Sequence, residues 1–402
     1  MEKRFFVMLS VGIGVIFLTA LATWWYFSRT TSAIPLTTPF SNPPAVKELP
    51  LLKYTLSNLR TRTYHPSTLT IEKVLSTNPD STALLFSYTT LAKKMSGQVT
   101  VPTAVLLSEE SDHTLKTIVM LRGYVPLEIY ETGVGTRNAA AAFAKAGYLT
   151  VAPDFFGYGE SDPEPSDSWQ ARFEKPIIVV ELLKTLQTQT LTIPEPIITE
   201  LKTNHQTTDL SAATPDTGTK AKVLEVDSLG LWGHSNGGQI ALTTLEVLNE
   251  RLPTTLWAPV TAPFPYSILF FSDESDDEGK ATRKWLAQFE ADYDVFDFTL
   301  TQHLQWLQGP LQIHHGTADE AALQVWSTEF IDKIELENKR RSQAKKAQAT
   351  LSAEVSPSPS PTTSSLEPIE IEYHVYPGAD HNLQPGWATV VERDITFFAK
   401  HL

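Results

Sequence analysis

One stretch limits the fold more than any other. Residues 229–242, LGLWGHSNGGQIAL, carry an apolar, strand-like run into Gly233-His234-Ser235-Asn236-Gly237-Gly238 and then into a helix-favouring run. A turn this tight between strand and helix crowds the backbone around its central residue. Glycine at 233 and 237 removes the side chains that would collide, and Ser235 is then presented at a helix N-terminus. This is the nucleophile-elbow pattern, G-x-S-x-G. The five residues alone recur by chance, and the strand-turn-helix setting is what gives them weight.

Short β-branched or apolar runs at 68–74, 83–88, 98–106, 117–121, 149–152, 229–232, 255–257, 311–314 and 369–375 read as strands. Helical patterns fall at 139–146, 169–188, 238–250, 321–334 and 386–401. A β-rich start followed by alternating strands and helices predicts an α/β class, with a mostly parallel central sheet and helices on both faces. The 402 residues suit one large catalytic domain, and 42% hydrophobic residues supply its core. No internal repeat is present, which argues against a propeller or solenoid.

An unassisted serine hydroxyl is a poor nucleophile, so Ser235 needs a base, and the base needs an orienting acid. Downstream, 311–322 (LQIHHGTADEAA) ends a strand in a glycine turn with Asp319 just beyond, and 373–383 (YHVYPGADHNL) ends another with His381 on the following loop. Asp319 is the expected orienter, with Glu320 as the one substitute acid, and His381 the expected base. The order Ser, Asp, His places each residue after a strand at the carboxyl edge of the sheet. His314 and His315 read as packed strand-end histidines, and His234 as a residue that shapes the elbow. Acyl transfer also needs donors for the developing oxyanion. The Asn236 backbone N–H is one, and Tyr124, after Gly123 in TIVMLRGY, is the other. There is no cysteine, so a thiolate nucleophile and a disulfide are excluded. No spacing of histidines and carboxylates suggests a metal, and no cofactor is expected.

With these residues in hand, the chain resembles the α/β-hydrolase superfamily, and within it the catalytic domain of the prolyl oligopeptidase family of serine peptidases. The motifs are G-x-S-x-G-G at 233–238, H-G-T-x-D at 315–319, the Gly-x-x-His turn at 378–381, and PDFFGYGESD at 153–162. The resemblance implies an acyl-enzyme mechanism with Ser235 as nucleophile, His381 as base, Asp319 as orienter and Asn236 and Tyr124 as oxyanion donors. Arg122 stands where relatives often have histidine, and Phe156 where they often have arginine. The motifs fix the mechanism better than the bond cleaved: a peptide substrate is favoured, and an acyl ester is the alternative. An inactive extracytoplasmic binding module and a cell-envelope scaffold are the two non-hydrolase readings.

Outside these motifs, residues 5–27 carry no charge, with Lys3 and Arg4 before them and Arg29 after. As a helix this stretch would reach about 34 Å, enough for a bilayer core. A cleaved signal peptide is the competing reading, but its apolar region usually runs only about 7 to 15 residues. The basic flank keeps residues 1–4 in the cytoplasm and sends the rest outside. Residues 28–49 read as a Ser/Thr/Pro-rich tether and 50–402 as the catalytic domain, with polar insertions at 203–220 and 337–368 and a possible cap at 262–308. The acidic run at 273–278 in that cap reads first as a solvated loop and second as a receiver for a substrate amine. A net charge of −14 opposes nucleic-acid binding. The partners expected are a peptide or acyl-ester substrate and the membrane. Oligomeric state is not readable.

Overall fold

The computed structural model describes residues 47–206, 220–272, 275–354 and 367–402. Its ten strands are β1 (Thr70–Thr77), β2 (Ser81–Thr90), β3 (Lys93–Pro102), β4 (Asp112–Leu121), β5 (Leu149–Pro153), β6 (Leu191–Ile193), β7 (Lys222–His234), β8 (Thr254–Trp257), β9 (Leu311–Gly316) and β10 (Ile371–Tyr376). They form one sheet in the order β1-β2-β3-β5-β4-β7-β8-β9-β10, with β6 paired to β7 off that path. From β5 to β10 along the order every pairing is parallel, whereas β1, β2 and β3 form an antiparallel edge.

Helices α1 (Leu56–Thr61), α2 (Thr103–Leu107), α3 (Arg137–Lys145), α4 (Ser168–Phe173), α5 (Lys175–Thr188), α6 (Glu195–Gln206), α7 (Asn236–Leu248), α8 (Tyr266–Ser272), α9 (Lys280–Glu290), α10 (Gln324–Glu354) and α11 (Trp387–His401) complete the fold. These elements belong to one unit, Pro50–Leu402. Both faces of the sheet are covered, and the two-residue period of a strand explains how. In β4, Ile118 and Met120 join the cluster built on Phe143 of α3 and Phe398 of α11. Val119 and Leu121, pointing the other way, join Ile178 and Leu182 of α5 and Leu242 of α7. Strand β7 divides likewise, with Leu231 on one side and Trp232 on the other.

All nine expected strands are present, and the structure adds β6, a three-residue strand that ends directly before Pro194. The expected strand at 98–106 stops at Pro102, and the chain turns into α2. The expected helix at 169–188 is two helices, because α4 ends at Phe173 and α5 restarts at Lys175 with Pro176 in its first turn, where a missing N–H costs nothing. The expected insertion at 337–368 is, through residue 354, a continuation of α10. Arg341, only 3% exposed, ties this helix to the body, donating to the carbonyls of Leu304, Leu307 and Glu367 and pairing with Glu337 at 2.8 Å. In the other expected insertion, residues 203–206 close α6 and 207–219 lie outside the described residues. The apolar stretch 5–27 and nearly all of the tether lie outside them too. Among the described residues no helix is long and apolar enough to cross a membrane.

Candidate active site

Parallel pairing brings the chemistry-bearing loops to one edge. Leu121 of β4 faces Gly233 of β7, His234 faces Trp257 of β8, Trp257 faces His314 of β9, and Gly316 faces Tyr376 of β10. The loops that leave these strands are therefore neighbours.

Ser235 sits between β7 and α7 with φ 57° and ψ −122°, a left-handed conformation that a non-glycine residue adopts only under constraint. The constraint is visible. Its N–H donates to the Trp257 carbonyl at 2.9 Å, and its carbonyl accepts from Gly238 and Val260. A Cβ on Gly233 would meet the Gly237 carbonyl at 2.8 Å, and one on Gly237 would lie 1.9 Å from the Leu121 carbonyl. The glycines are there because backbone passes backbone at contact distance.

His381 Nδ1 donates to both oxygens of Asp319, at 3.0 and 2.9 Å. That bond fixes the Nδ1–H tautomer and leaves Nε2 free to accept a proton. Burial opposes ionisation of Asp319, but hydrogen bonds from His315, His381 and the Ala322 N–H outweigh it and hold the carboxyl well below the usual range. The loops carrying the pair are laced together: Ala318 N–H donates to the Ala379 carbonyl, and Gly378 N–H to Thr317 Oγ1. Among the described residues Ser235 Oγ makes no hydrogen bond to His381. Such contacts are often loose in an unliganded site and tighten with substrate.

His234 is tied to the same pair. Its Nε2–H donates to the His381 carbonyl at 2.9 Å, and the two rings lie 4.8 Å apart. Burial first, and the nearby His381 second, lower its pKa to about 4. His315, fully buried, holds Asp319 from behind at 3.2 Å while donating to the Ala322 carbonyl and accepting from Ser327. The sequence reading places it as a packed strand-end residue and misses this second role. The i, i+4 spacing of His315 and Asp319 was the available signal. His314 is packed as expected, buried among Tyr376, Gln312 and Asp394.

The loop after β4 runs against the serine, since a Cβ on Gly123 would stand 2.8 Å from Ser235 Cβ and 3.3 Å from its Oγ. Tyr124 is 76% exposed. Among the described residues the N–H groups of Asn236 and Tyr124 are donated to no protein acceptor, and Asn236 opens α7, where the helix dipole adds positive potential. Arg122, 6% exposed, lies 4.0 Å from the Tyr158 ring and 4.5 Å from that of Tyr130, and it donates to the Gly123 and Asp154 carbonyls.

In the segment expected as a cap, Phe264 and Phe298 pack with Trp169, Phe173 and Phe289 and also line a cleft that reaches Asn236. Of the acidic run, Asp277 accepts from the N–H groups of Gly279 and Ala281 at the start of α9, and Glu278 pairs with Lys280. These acids serve the turn. Asp273 and Glu274 lie outside the described residues. Among those residues no cluster of histidines and carboxylates could hold a metal ion.

No protein-family model and no curated protein matches the sequence. Solved structures do. The acetyl xylan esterase of Paenibacillus sp. R4 aligns over 90% of this chain and 97% of its own, with a TM-score of 0.53 and 11% identity. The S-formylglutathione hydrolase of Agrobacterium tumefaciens aligns over 82% of this chain and 100% of its own, with a TM-score of 0.44 and 15% identity. A protein described as a dipeptidyl aminopeptidase IV, from Bacteroides ovatus ATCC 8483, aligns over 84% of this chain and 36% of its own, with a TM-score of 0.43 and 14% identity. Identities this low speak of architecture alone. With the parallel sheet, the elbow after β7 and the strand-end loops after β9 and β10, that architecture makes the chain a protein of the α/β-hydrolase fold.

Proposed function

We propose that this protein is a serine hydrolase working through an acyl-enzyme. The observation that carries the reading is the strained Ser235, held at φ 57° at the head of α7, beside a loop with an undonated N–H and next in sequence to His234, which donates to the carbonyl of His381, whose ring Asp319 orients. Ser235 Oγ attacks the substrate carbonyl while His381 Nε2 accepts its proton, and Asp319 stabilises the imidazolium that results. The Asn236 and Tyr124 N–H groups receive the oxyanion, each contributing about 3 kcal/mol of barrier lowering. His381 then protonates the leaving group, and water repeats the sequence to release the acid.

For the bond cleaved we propose the peptide bond, on the elbow, H-G-T-x-D and Gly-x-x-His motifs. An acyl ester is the second reading, supported by the alignment over 90% of the chain with an acetyl xylan esterase. We also propose that residues 5–27 anchor the chain with its catalytic unit outside the cytoplasm. Treating the full-length protein with a fluorophosphonate and mapping the adduct tests the mechanism. Modification of Ser235, absent in Ser235→Ala, is expected, and a folded protein that takes up no label at Ser235 defeats the reading. Parallel assays on a peptide anilide and a matched ester rank the two bonds.

A further inference from the structure

The cleft that reaches Asn236 carries charge for which the acyl chemistry has no use. Tyr54, Leu59, Phe173, Phe264, Phe298 and Leu300 make most of its wall apolar, yet Arg172 and Lys175 also face into it, beside Gln239. Its free space, about 50 Å³, has room for a group of a few heavy atoms.

Neither cation has an ion-pair partner among the described residues. Arg172, near the end of α4, donates through Nη2 to Gln239 Oε1 at 2.7 Å, a neutral acceptor. Lys175, which opens α5, makes no hydrogen bond among the described residues, and the ring of Phe155 lies 5.9 Å from its Nζ. Among those residues no carboxylate comes within ion-pairing distance of either. The adjacent Glu174 is turned to Gln170 Nε2 at 3.4 Å. Burial, with repulsion from Arg172 and Arg122, outweighs the weaker attraction of the more distant Glu164 and Glu174 and lowers the Lys175 pKa to about 8, and burial lowers that of Arg172 to about 10. Both residues are half-buried, and partly withdrawing cations from water without an ion-pair partner is costly in a chain whose net charge of −14 leaves acids to spare. The missing ion-pair partner is therefore the property to explain.

We infer that this cleft receives a carboxylate carried on the acyl side of the substrate, with the Arg172 guanidinium as a planar fork and the Lys175 ammonium as a point charge. The inference rests on the serine-hydrolase reading above and narrows its substrate class. Helix geometry sets the reach. Gln239, which holds Arg172, lies one turn along α7 from Ser235, about 5 to 6 Å. A carboxylate two or three methylenes from the scissile carbonyl spans that distance, as in a glutaryl ester or an acyl residue with an acidic side chain. The apolar wall covers the methylenes.

Full-length protein is assayed with 4-nitrophenyl hydrogen glutarate and 4-nitrophenyl pentanoate, matched in length, with uncatalysed rates subtracted. The glutarate is expected to have the higher kcat/KM by about 10-fold or more, since hydrogen bonds to charged groups are the stronger kind. Arg172→Gln and Lys175→Gln should each cut the glutarate-to-pentanoate ratio by about 10- to 100-fold, and Lys175→Arg should keep most of it. The ratio corrects for any general loss of activity. A wild-type ratio at or below one, or a ratio that both glutamine variants leave unchanged, overturns the inference while pentanoate turnover and Ser235 labelling leave the hydrolase reading standing. Turnover of neither ester, together with no label on Ser235, overturns both.

Discussion

The Arg122 guanidinium donates to the carbonyl of Gly123, its own neighbour, at 2.9 Å. The peptide that follows is trans, so the Tyr124 N–H points opposite to that carbonyl. Arg122 therefore aims an N–H it never touches. The same guanidinium is fixed by the Asp154 carbonyl at 2.7 Å and by the Tyr130 and Tyr158 rings, so its position is set by the PDFFGYG loop.

Arg122→Met should lower kcat and kcat/KM together by about 10- to 100-fold with little change in KM, the signature of an interaction made in the transition state. Tyr124→Phe should keep kcat within about 3-fold, because the backbone supplies the donor. A loss nearer 10²- to 10³-fold in Tyr124→Phe would assign the donor to the hydroxyl instead. Steady-state kinetics on one ester, with melting curves for both variants, separate these outcomes.

Asp319→Asn should cost about 10⁴ in turnover, since it disfavours the productive tautomer and the imidazolium of His381. Glu320→Gln should be mild, as Glu320 is exposed and the His381 bond goes to Asp319. If Glu320→Gln proves the worse on the same substrate, with circular dichroism intact in both, the orienter is misassigned.

Acid should weaken the fold in a defined window. His234 binds its proton near pH 6.5 when unfolded but only near pH 4 when folded, because burial and His381 depress its pKa. The unfolded chain then binds more protons between those values. The stability His234 contributes is whole above about pH 6.5 and is lost as pH falls toward 4. Asp319, also depressed, extends the loss below 3.8. Urea midpoints should fall from pH 7 to pH 4.5, and His234→Asn should flatten that slope. An equal slope in the variant would place the acid sensitivity elsewhere.

Membrane attachment has its own readout. Alkaline carbonate should leave the full-length protein in the membrane pellet, and protease added to intact cells should release the catalytic unit. A mature N-terminus beginning after Ala33 would instead indicate a cleaved leader.

Ser235, Asp319 and His381 were legible because each follows a strand whose apolar run is plain, and the elbow glycines signal a close backbone approach by residue type alone. The strand order was not legible beyond its class, since pairing partners such as β3 with β5 are non-local. Helices α8 and α9 hid among aromatics that read as a cap, and β6 was too short to show a period. Arg172 and Lys175 belong to no motif and lie in a stretch, 169–188, that reads only as a helical pattern. Only the packing of α5 against α7, with the Arg172 bond to Gln239, turns them toward the cleft. His315 looked like core for the same reason that it positions Asp319: it is buried.

The lack of room for any side chain at Gly237 has a wider consequence. The end of β4 and the start of α7 touch through bare backbone, so the proposed nucleophile and the proposed oxyanion amides are cast in one piece. On the proposed mechanism, selectivity then falls to the mouth of the cleft, where Phe264 and Phe298 decide which acyl groups reach Asn236.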